Sequence, residues 1–570
     1  MTNQDIARAL YEIADLLDIL SVEWKPIAFR KAARIIESLP EDVEKKFRKE
    51  GEKGLLEIEG VGKGIAMKIA QFIEEGKIDE LEELRKKIPA GVEAMLRVPG
   101  LGPKKVARLF NELKIDSVEK LGKMAREEKI RTLEGFGEKS EEDILMGIGL
   151  VQKGSERKLT GIIAPFANDV LREVRALPFV EKAELAGSFR RRRETVKDLD
   201  LLVFTKKPKE VSKEIAKLSH VKDMIKSGEK MTSVRFENGM SSDMRILPME
   251  LYGSGMLHFT GSKEHGIAIR NRAIGKGMKF SEYGLLKGNK IVASKTEEDV
   301  YEKLGLRWIP PELREDKGEI EASEKGKLPA LVEESDVKGD VHMHTVWSDG
   351  ANTSEEMIQV AIAKKYEYIA ITDHSKSDRV ANGMDEKRLK QHIVELEKLQ
   401  KKYPKIKILA GAEVAILGDG KMDYSNETLK ELDVVIGSIH SGFKNDEKKI
   451  TGRIVSALEN EYVHFIAHPT GRLINQRNPY AVNMEKVMEE AKRNGKALEV
   501  NAHPSRLDLN AEHVRMAVER GVKLVINTDA HSTSNLDFME WGVAQARRGW
   551  AEKKDILNTQ PWKAFQKFLK

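Results

Sequence analysis

From residue 339 to residue 570, apolar runs of strand length alternate with segments of helical period. YIAITDHS, ILAGAEV, VVIGSIHS, HFIAHPTG and LVINTDAHS are interleaved with stretches such as SEEMIQVAIAKK and MEKVMEEAKRNG. A run that is apolar throughout is buried on both faces, which suits a parallel strand covered by helices. Repeated β-then-α units of this kind predict a (βα) barrel, with the side chains at the strand C-termini gathered at one mouth. Those ends carry His374, Glu413, His440, His468, Asp529 and His531. The stretch GDVHMHTVWSDG at 339–350 adds His342 and His344, which share a strand face by the period of two, and Asp349. Ten of the 13 histidines fall in this part of the chain, so the bias has a local cause. Nine nitrogen and oxygen donors suit two or three Mn²⁺, Zn²⁺ or Fe²⁺ ions, and a cluster of that kind activates water and clamps a phosphoester for hydrolysis. Asp340 and Asp373 precede ligands and are expected to orient them from behind. His503 ends another strand and is read as facing substrate, whereas His392, His464 and His513 are read as structural.

The rest of the composition sets limits. A chain of 570 residues exceeds what one core organises, so several domains are expected. With no cysteine, any transition metal must be held by His, Asp and Glu. The start MTNQDIARALYEIADLL is acidic and amphipathic and no run reaches 18 apolar residues, which reads as a cytoplasmic protein with no membrane partner. A net charge of +5 says little, because nucleic acid responds to local basic surfaces.

Residues 1 to about 150 have helical period with three similar breaks: LLEIEGVGKGIAMKIAQFI, MLRVPGLGPKKVARLF and RTLEGFGEKSEEDIL. Each places a Gly-apolar-Gly turn before a new helix, as at Gly60–Gly62 and Gly100–Gly102. Such turns let backbone amides face a phosphate without reading a base. The following region turns to mixed strand and helix. In LAGSFRRRRETVKDLDLLVF, Asp198 and Asp200 project from one face of a strand, and Asp243 in SSDMRIL offers a third carboxylate from a neighbouring strand. Three carboxylates can hold two Mg²⁺ ions, one acting on an attacking 3′-hydroxyl and one on triphosphate oxygens, which is the chemistry of nucleotidyl transfer. Upstream, Gly187 and Ser188 form a turn suited to phosphate, with Arg191 to neutralise it.

Together these motifs resemble the bacterial and archaeal family X DNA polymerases that carry a C-terminal polymerase and histidinol phosphatase (PHP) domain, over nearly the whole chain. The resemblance implies helix-hairpin-helix domains at 1–88 (DNA-end-binding) and 89–153 (fingers), an α+β nucleotidyltransferase palm at 154–250, a thumb at 251–315 and a distorted TIM-like PHP barrel at 339–570; the segment between the last two, 316–338, is polar and highly charged with few large apolar residues and reads as an extended connector. In MLHFTGSKEHGIAIRNRA it implies that Phe259, Thr260 and Gly261 lie against the incoming sugar and that Arg270 faces the template. Gly266 stands where many members carry Asn, and His258 where Tyr is common, which implies weaker minor-groove contacts. Lys68 matches the lysine that forms a Schiff base with an abasic sugar in some relatives, against the plainer reading of a lysine touching phosphate. All nine barrel donors match the PHP ligand set. Implied partners are gapped or nicked DNA with a 5′-phosphate, dNTPs and a monovalent cation at the helix-hairpin-helix turns, bound by a monomer. Implied activities are short-gap DNA synthesis, 3′→5′ exonuclease action and incision at abasic sites. Three other readings stay open at this point: a small-molecule phosphatase in the barrel, a non-catalytic DNA-end-bridging protein, and a template-independent nucleotidyltransferase.

Overall fold

The computed structural model describes residues 3–20, 22–39, 42–58, 60–96, 98 and 101–570. Between Asn3 and Glu156 the described residues are organised as helices. Its amphipathic helices bury one continuous core that includes Leu10, Ile69, Val106 and Ile144, so both helix-hairpin-helix parts pack as one body.

The palm is a five-stranded sheet made of β1 (Lys182–Leu185), β2 (Leu199–Phe204), β3 (Val221–Lys226), β4 (Met231–Phe236) and β5 (Ser241–Leu247), in the order β1-β2-β5-β4-β3. Only β2 and β5 run parallel, and their register sets Asp200 opposite Asp243. The thumb follows, with helices Tyr252–Thr260, Lys263–Gly275 and Glu297–Lys303 around the antiparallel strands β6 (Lys279–Ser281), β7 (Gly284–Lys287) and β8 (Lys290–Ala293).

Palm and thumb are joined through a buried charge cluster. The Glu297 carboxylate accepts from Arg314 at 2.7 and 3.0 Å, from Arg190 at 2.8 and 2.9 Å and from Trp308 at 3.1 Å. Burial alone would raise its pKa, but Arg314 and Arg190 outweigh burial and hold it well below the carboxylate range. A folded pKa below the unfolded one gives stability that is present above the ordinary Glu pKa of about 4.3 and lost as pH falls below it. Glu297→Gln strands two guanidiniums, so a loss of about 3–5 kcal/mol is expected at pH 7. In urea titrations at pH 7 and at pH 3.5, the gap between variant and wild type should narrow at the lower pH.

The segment 316–338, expected to be an extended connector, is instead folded down. Helix Glu319–Glu324 docks on the thumb through Glu319, whose carboxylate meets His265 Nδ1 at 2.6 Å with both side chains fully buried. Val332 and Val337 then enter the barrel core. Its charges misled the reading, because Glu319 is buried by pairing and not exposed.

The C-terminal domain is a parallel sheet of seven strands in sequential order: β9 (Gly339–Asp340), β10 (Tyr368–Ile371), β11 (Lys407–Ala415), β12 (Val434–Ser438), β13 (Phe465–Ile466), β14 (Ala497–Asn501) and β15 (Lys523–Asn527). A parallel bridge between Met343 and Ala530, with His344 N donating to Ala530 O at 2.8 Å, ties the last strand back to the first. Seven strands in place of eight account for the distortion expected of this barrel. Tight starts keep the crossovers regular: Thr353 and Glu356 form a reciprocal capping box that opens helix Ser354–Ala363.

Barrel and palm share apolar contacts. Trp541 and Leu507 of the barrel join the palm core, with Trp541 edge-on to Phe189 at 6.4 Å. Arg472 pairs with Glu194 of the palm at 2.6 and 3.2 Å. Among the described residues no helix is long and apolar enough to cross a membrane.

Candidate active sites

In the palm, the parallel β2–β5 pair sets Asp200 beside Asp243, and Asp198 sits two residues before Asp200 at the exposed entry to β2. Ser233 donates to Asp243 Oδ1 at 2.6 Å and fixes that carboxylate. Burial first, then Asp198 and Asp243, push the Asp200 pKa up to about 6, while Arg191 and Arg245 pull it back. Three converging carboxylates whose mutual repulsion penalises ionisation are a donor set that fits divalent cations.

Gly187 lies directly behind this site. It has φ +54, and a Cβ there would stand 1.9 Å from Asp200 Oδ2. The turn read as a phosphate cradle is therefore also what makes room for Asp200. Gly187→Ala is expected to cut nucleotidyl transfer by roughly 100-fold through displacement of that carboxylate, checked by single-turnover extension. Ser188 is half-buried in the same turn.

Arg191 is engaged by the protein. Its Nε donates to Glu315 at 3.1 Å and its Nη1 to the Thr260 carbonyl at 2.6 Å. Thr260 is fully buried and its hydroxyl accepts from Arg190. Phe259 stacks on the Arg245 guanidinium at 5.2 Å and lines a cavity of about 410 Å³ with Lys206, Lys230, Glu282 and Tyr283. Gly261 closes the helix that carries Phe259 and Thr260. Arg270 lies one turn beyond Gly266, and the missing Gly266 side chain leaves space in front of the guanidinium. His258 packs on Phe259 and lies 3.8 Å from Glu282.

The helical turns repeat one geometry. Val61 N donates to Ile58 O, Leu101 N to Val98 O and Phe136 N to Leu133 O at 2.9–3.0 Å, and Gly60 and Gly135 have φ +77 and +79. The third copy thus has the turn of the first. Gly62 and Gly102 cap the following helices with open space where a Cβ would be, so a phosphate can approach the amides. Gly100 lies outside the described residues. Lys68 pairs with Glu80 at 2.8 Å and also donates to Gly64 O. It is not the uncommitted amine that Schiff-base formation needs, which favours the plainer reading.

The barrel mouth gathers all nine expected donors. Glu413 is the hub: Oε1 lies 2.9 Å from His468 and 3.1 Å from His440, and Oε2 lies 3.1, 3.4 and 3.5 Å from His374, His342 and His344. Asp529 Oδ1 reaches His344 at 3.2 Å and His342 at 3.5 Å, and Asp349 Oδ1 reaches His531 at 3.4 Å and His374 at 3.6 Å. Three groups bring their ligand atoms within 4.8 Å of one another: His344–Asp349–His374–His531, His342–His344–Asp529 and His374–Glu413–His440. His468 leans on Glu413 and stands outside these groups. Several buried ring nitrogens, His342 Nε2, both of His344 and His374 Nδ1, have no hydrogen-bond partner. Buried unpaired donors converging on common points fit metal ligands better than a hydrogen-bonded core. Asp529 and His468 have φ of +53 and +28, so backbone strain is held at two of the nine positions.

Four supporting residues were not legible beforehand. Glu499 accepts from His342 Nδ1 at 2.7 Å and from Asn527, Asn501 and His468 N, and so sets the His342 ring. Asn501 and Arg506 hold Asp529 Oδ2, and Asp378 lies 3.1 Å from His440 Nδ1. The only sequence signal was that EVN ends a strand as the ligand runs do. Asp340 grips Thr528 and the His342 amide, and burial pushes its pKa up to about 7. Asp373 ties down the turn at Thr345 and Ser348 and lies 3.8 Å from His392, so neither acid holds the ring of one of the nine donors. His503 bonds Ser505, and burial lowers its pKa to about 4. His392 stacks on Trp347, and His464 bridges Val435 N and Leu569 O, both structural as expected. Glu499→Gln is expected to weaken metal binding about 10–100-fold, read as metal content after dialysis, with folding preserved.

Comparison with known proteins agrees with this layout. A helix-hairpin-helix domain model matches residues 1–78, a SAM-like helix-hairpin-helix tandem 52–114 and 92–149, a DNA polymerase beta thumb 255–315 and a PHP domain 340–503. The DNA polymerase/3′-5′ exonuclease PolX of Bacillus subtilis (strain 168) is 41% identical over 575 residues, covering 100% of both chains. The chain belongs to the family X DNA polymerases that carry a PHP domain. A probable phosphatase of Thermoanaerobacter sp. (strain X514) is 29% identical over 242 residues, 40% of this chain and 94% of that one. Another, from Acetivibrio thermocellus, is 31% identical over 202 residues, 34% and 78% of the two chains. In this family X member the barrel runs past the matched PHP segment to β15, where Asp529 and His531 complete the donor set.

Proposed function

We propose that the chain is a DNA-directed DNA polymerase that fills short gaps during DNA repair and that its barrel is a 3′→5′ exonuclease, with incision at abasic sites as a related reaction of the same centre. The observation that carries this is the presence of two separate donor clusters in one chain, one of carboxylates in the palm and one rich in histidine in the barrel. Asp198, Asp200 and Asp243 would hold two Mg²⁺ ions, and the barrel donors would hold two or three Mn²⁺ or Zn²⁺ ions. When bound, these metals supply Lewis acidity toward phosphoryl oxygens and lower the pKa of the attacking oxygen.

The protein groups set substrate and direction. The Gly187–Ser188 turn and Arg191 receive the triphosphate, Phe259, Thr260 and Gly261 wall the sugar of the dNTP, and Arg270 faces the template. The amides at Gly62 and Gly102 grip the DNA backbone on either side of a gap, with a 5′-phosphate at the first of them. At the barrel mouth Arg506, paired to Asp529, is placed to meet a phosphodiester. A cytoplasmic monomer working on gapped or nicked DNA needs no partner protein for either reaction.

Template use is tested on a 5′-phosphorylated one-nucleotide gap against the same primer single-stranded. Extension limited to the gap and to the complementary dNTP is expected; equal extension of both substrates contradicts the reading. The similarity of the barrel to probable phosphatases favours a second reading for that domain, a small-molecule phosphatase. Faster release from a phosphomonoester than from a DNA 3′ end would establish it.

A further inference from the structure

We propose that Arg548, a residue of the barrel domain, is a positioning residue for the polymerase site, acting through Glu315 and Arg191. The inference rests on the nucleotidyl-transfer reading above.

Arg191 is nearly buried, its side chain 13% exposed, and its guanidinium has two fixed acceptors, Glu315 Oε1 on Nε and the Thr260 carbonyl on Nη1. Among the described residues Nη2 has no protein partner, so one edge of the fork is anchored and the other remains for a phosphate. A planar fork that is oriented beforehand loses little rotamer freedom when it meets an anion. The orientation depends on Glu315, and Glu315 is itself held from the far side of the domain boundary. Arg548 Nη1 donates to Glu315 Oε1 at 3.2 Å and to the main-chain oxygen of Arg191 at 2.8 Å. Arg193 adds a longer contact to Glu315 at 3.4 Å.

Arg548 is placed for this by its own helix. It ends helix Met539–Arg548, whose other end carries Trp541 against Phe189, two residues before Arg191. The Arg192 guanidinium stacks over the same Trp541 ring at 4.8 Å. One barrel helix therefore touches the arginine run at side chain, main chain and counter-ion. With its side chain 7% exposed, Arg548 makes these bonds away from water, where geometry is held tightly. Without Arg548, Glu315 answers to Arg191 and Arg193 alone and the Arg191 carbonyl loses its donor, so the fork is no longer set before the nucleotide arrives.

The test is steady-state filling of a one-nucleotide gap by the full chain. Arg548→Ala is expected to raise KM for the dNTP about tenfold, leave kcat within about twofold and leave 3′-end shortening by the barrel unchanged. Arg548→Lys should recover part of the KM. Arg472→Ala cuts the Glu194 pair on the same domain boundary without touching Glu315 or Arg191, so its KM should match wild type. An unchanged KM in Arg548→Ala overturns the inference, as does an equal rise in Arg472→Ala or a fall in kcat and shortening together. A wild-type chain that does not extend the primer refutes the polymerase reading and this inference with it. Extension with an unmoved KM refutes the inference alone.

Discussion

Asp200→Asn is expected to lower primer extension by a factor on the order of 10³ or more, equivalent to about 4 kcal/mol of barrel-independent transition-state stabilisation. The substitution keeps the volume of the side chain in front of Gly187 and removes its charge. Asp200 is the palm carboxylate whose ionisation burial, Asp198 and Asp243 all oppose, so neutralising it relieves repulsion in the empty palm. Thermal stability should therefore hold or rise while extension is lost. That pairing separates loss of a metal-binding charge from loss of fold, since a variant that was merely unfolded would lose both. Shortening of the 3′ end should continue at the wild-type rate.

Glu413→Gln is expected to have the reverse effect, with 3′-end shortening reduced on the order of 10³-fold and gap filling unchanged. Glu413 contacts five of the other donors at the barrel mouth: His342, His344, His374, His440 and His468. Burial alone would raise its pKa, yet the surrounding histidines, His440 foremost, hold it well below the carboxylate range. A neutral amide there would neither supply an anionic ligand to a cation nor balance the imidazoles around it. Excess Mn²⁺ should not restore activity, in contrast with Glu499→Gln, where the nine donors remain and the change falls on the hydrogen bonds that hold His342 and its neighbours.

The barrel was legible because its strands are buried on both faces and so read as unbroken apolar runs, and because barrel chemistry sits at strand ends, which places His374 or His440 by position alone. The palm carboxylates were legible for a related reason: period two puts Asp198 and Asp200 on one face, though only the parallel register with β5 could set Asp243 opposite Asp200. What sequence could not give are pairings between residues far apart in the chain. Glu499 meets His342 across 157 residues, and Arg548 meets Arg191 across 357. The connector misread at 316–338 belongs here too, since the charge on Glu319 signals solvent until His265 is known to face it. Closure at seven strands likewise depends on the Met343–Ala530 bridge and not on any local pattern.

The central claim is that one chain holds two metal centres of opposite chemistry that work independently. The direct measurement uses a one-nucleotide-gap DNA labelled on the primer, incubated with Mn²⁺ with and without dNTPs, comparing wild type, Asp200→Asn and Glu413→Gln. The expected result is that Asp200→Asn shortens but does not extend, and Glu413→Gln extends but does not shorten. Loss of both activities in either variant, or survival of both in each, would contradict the assignment of the two centres.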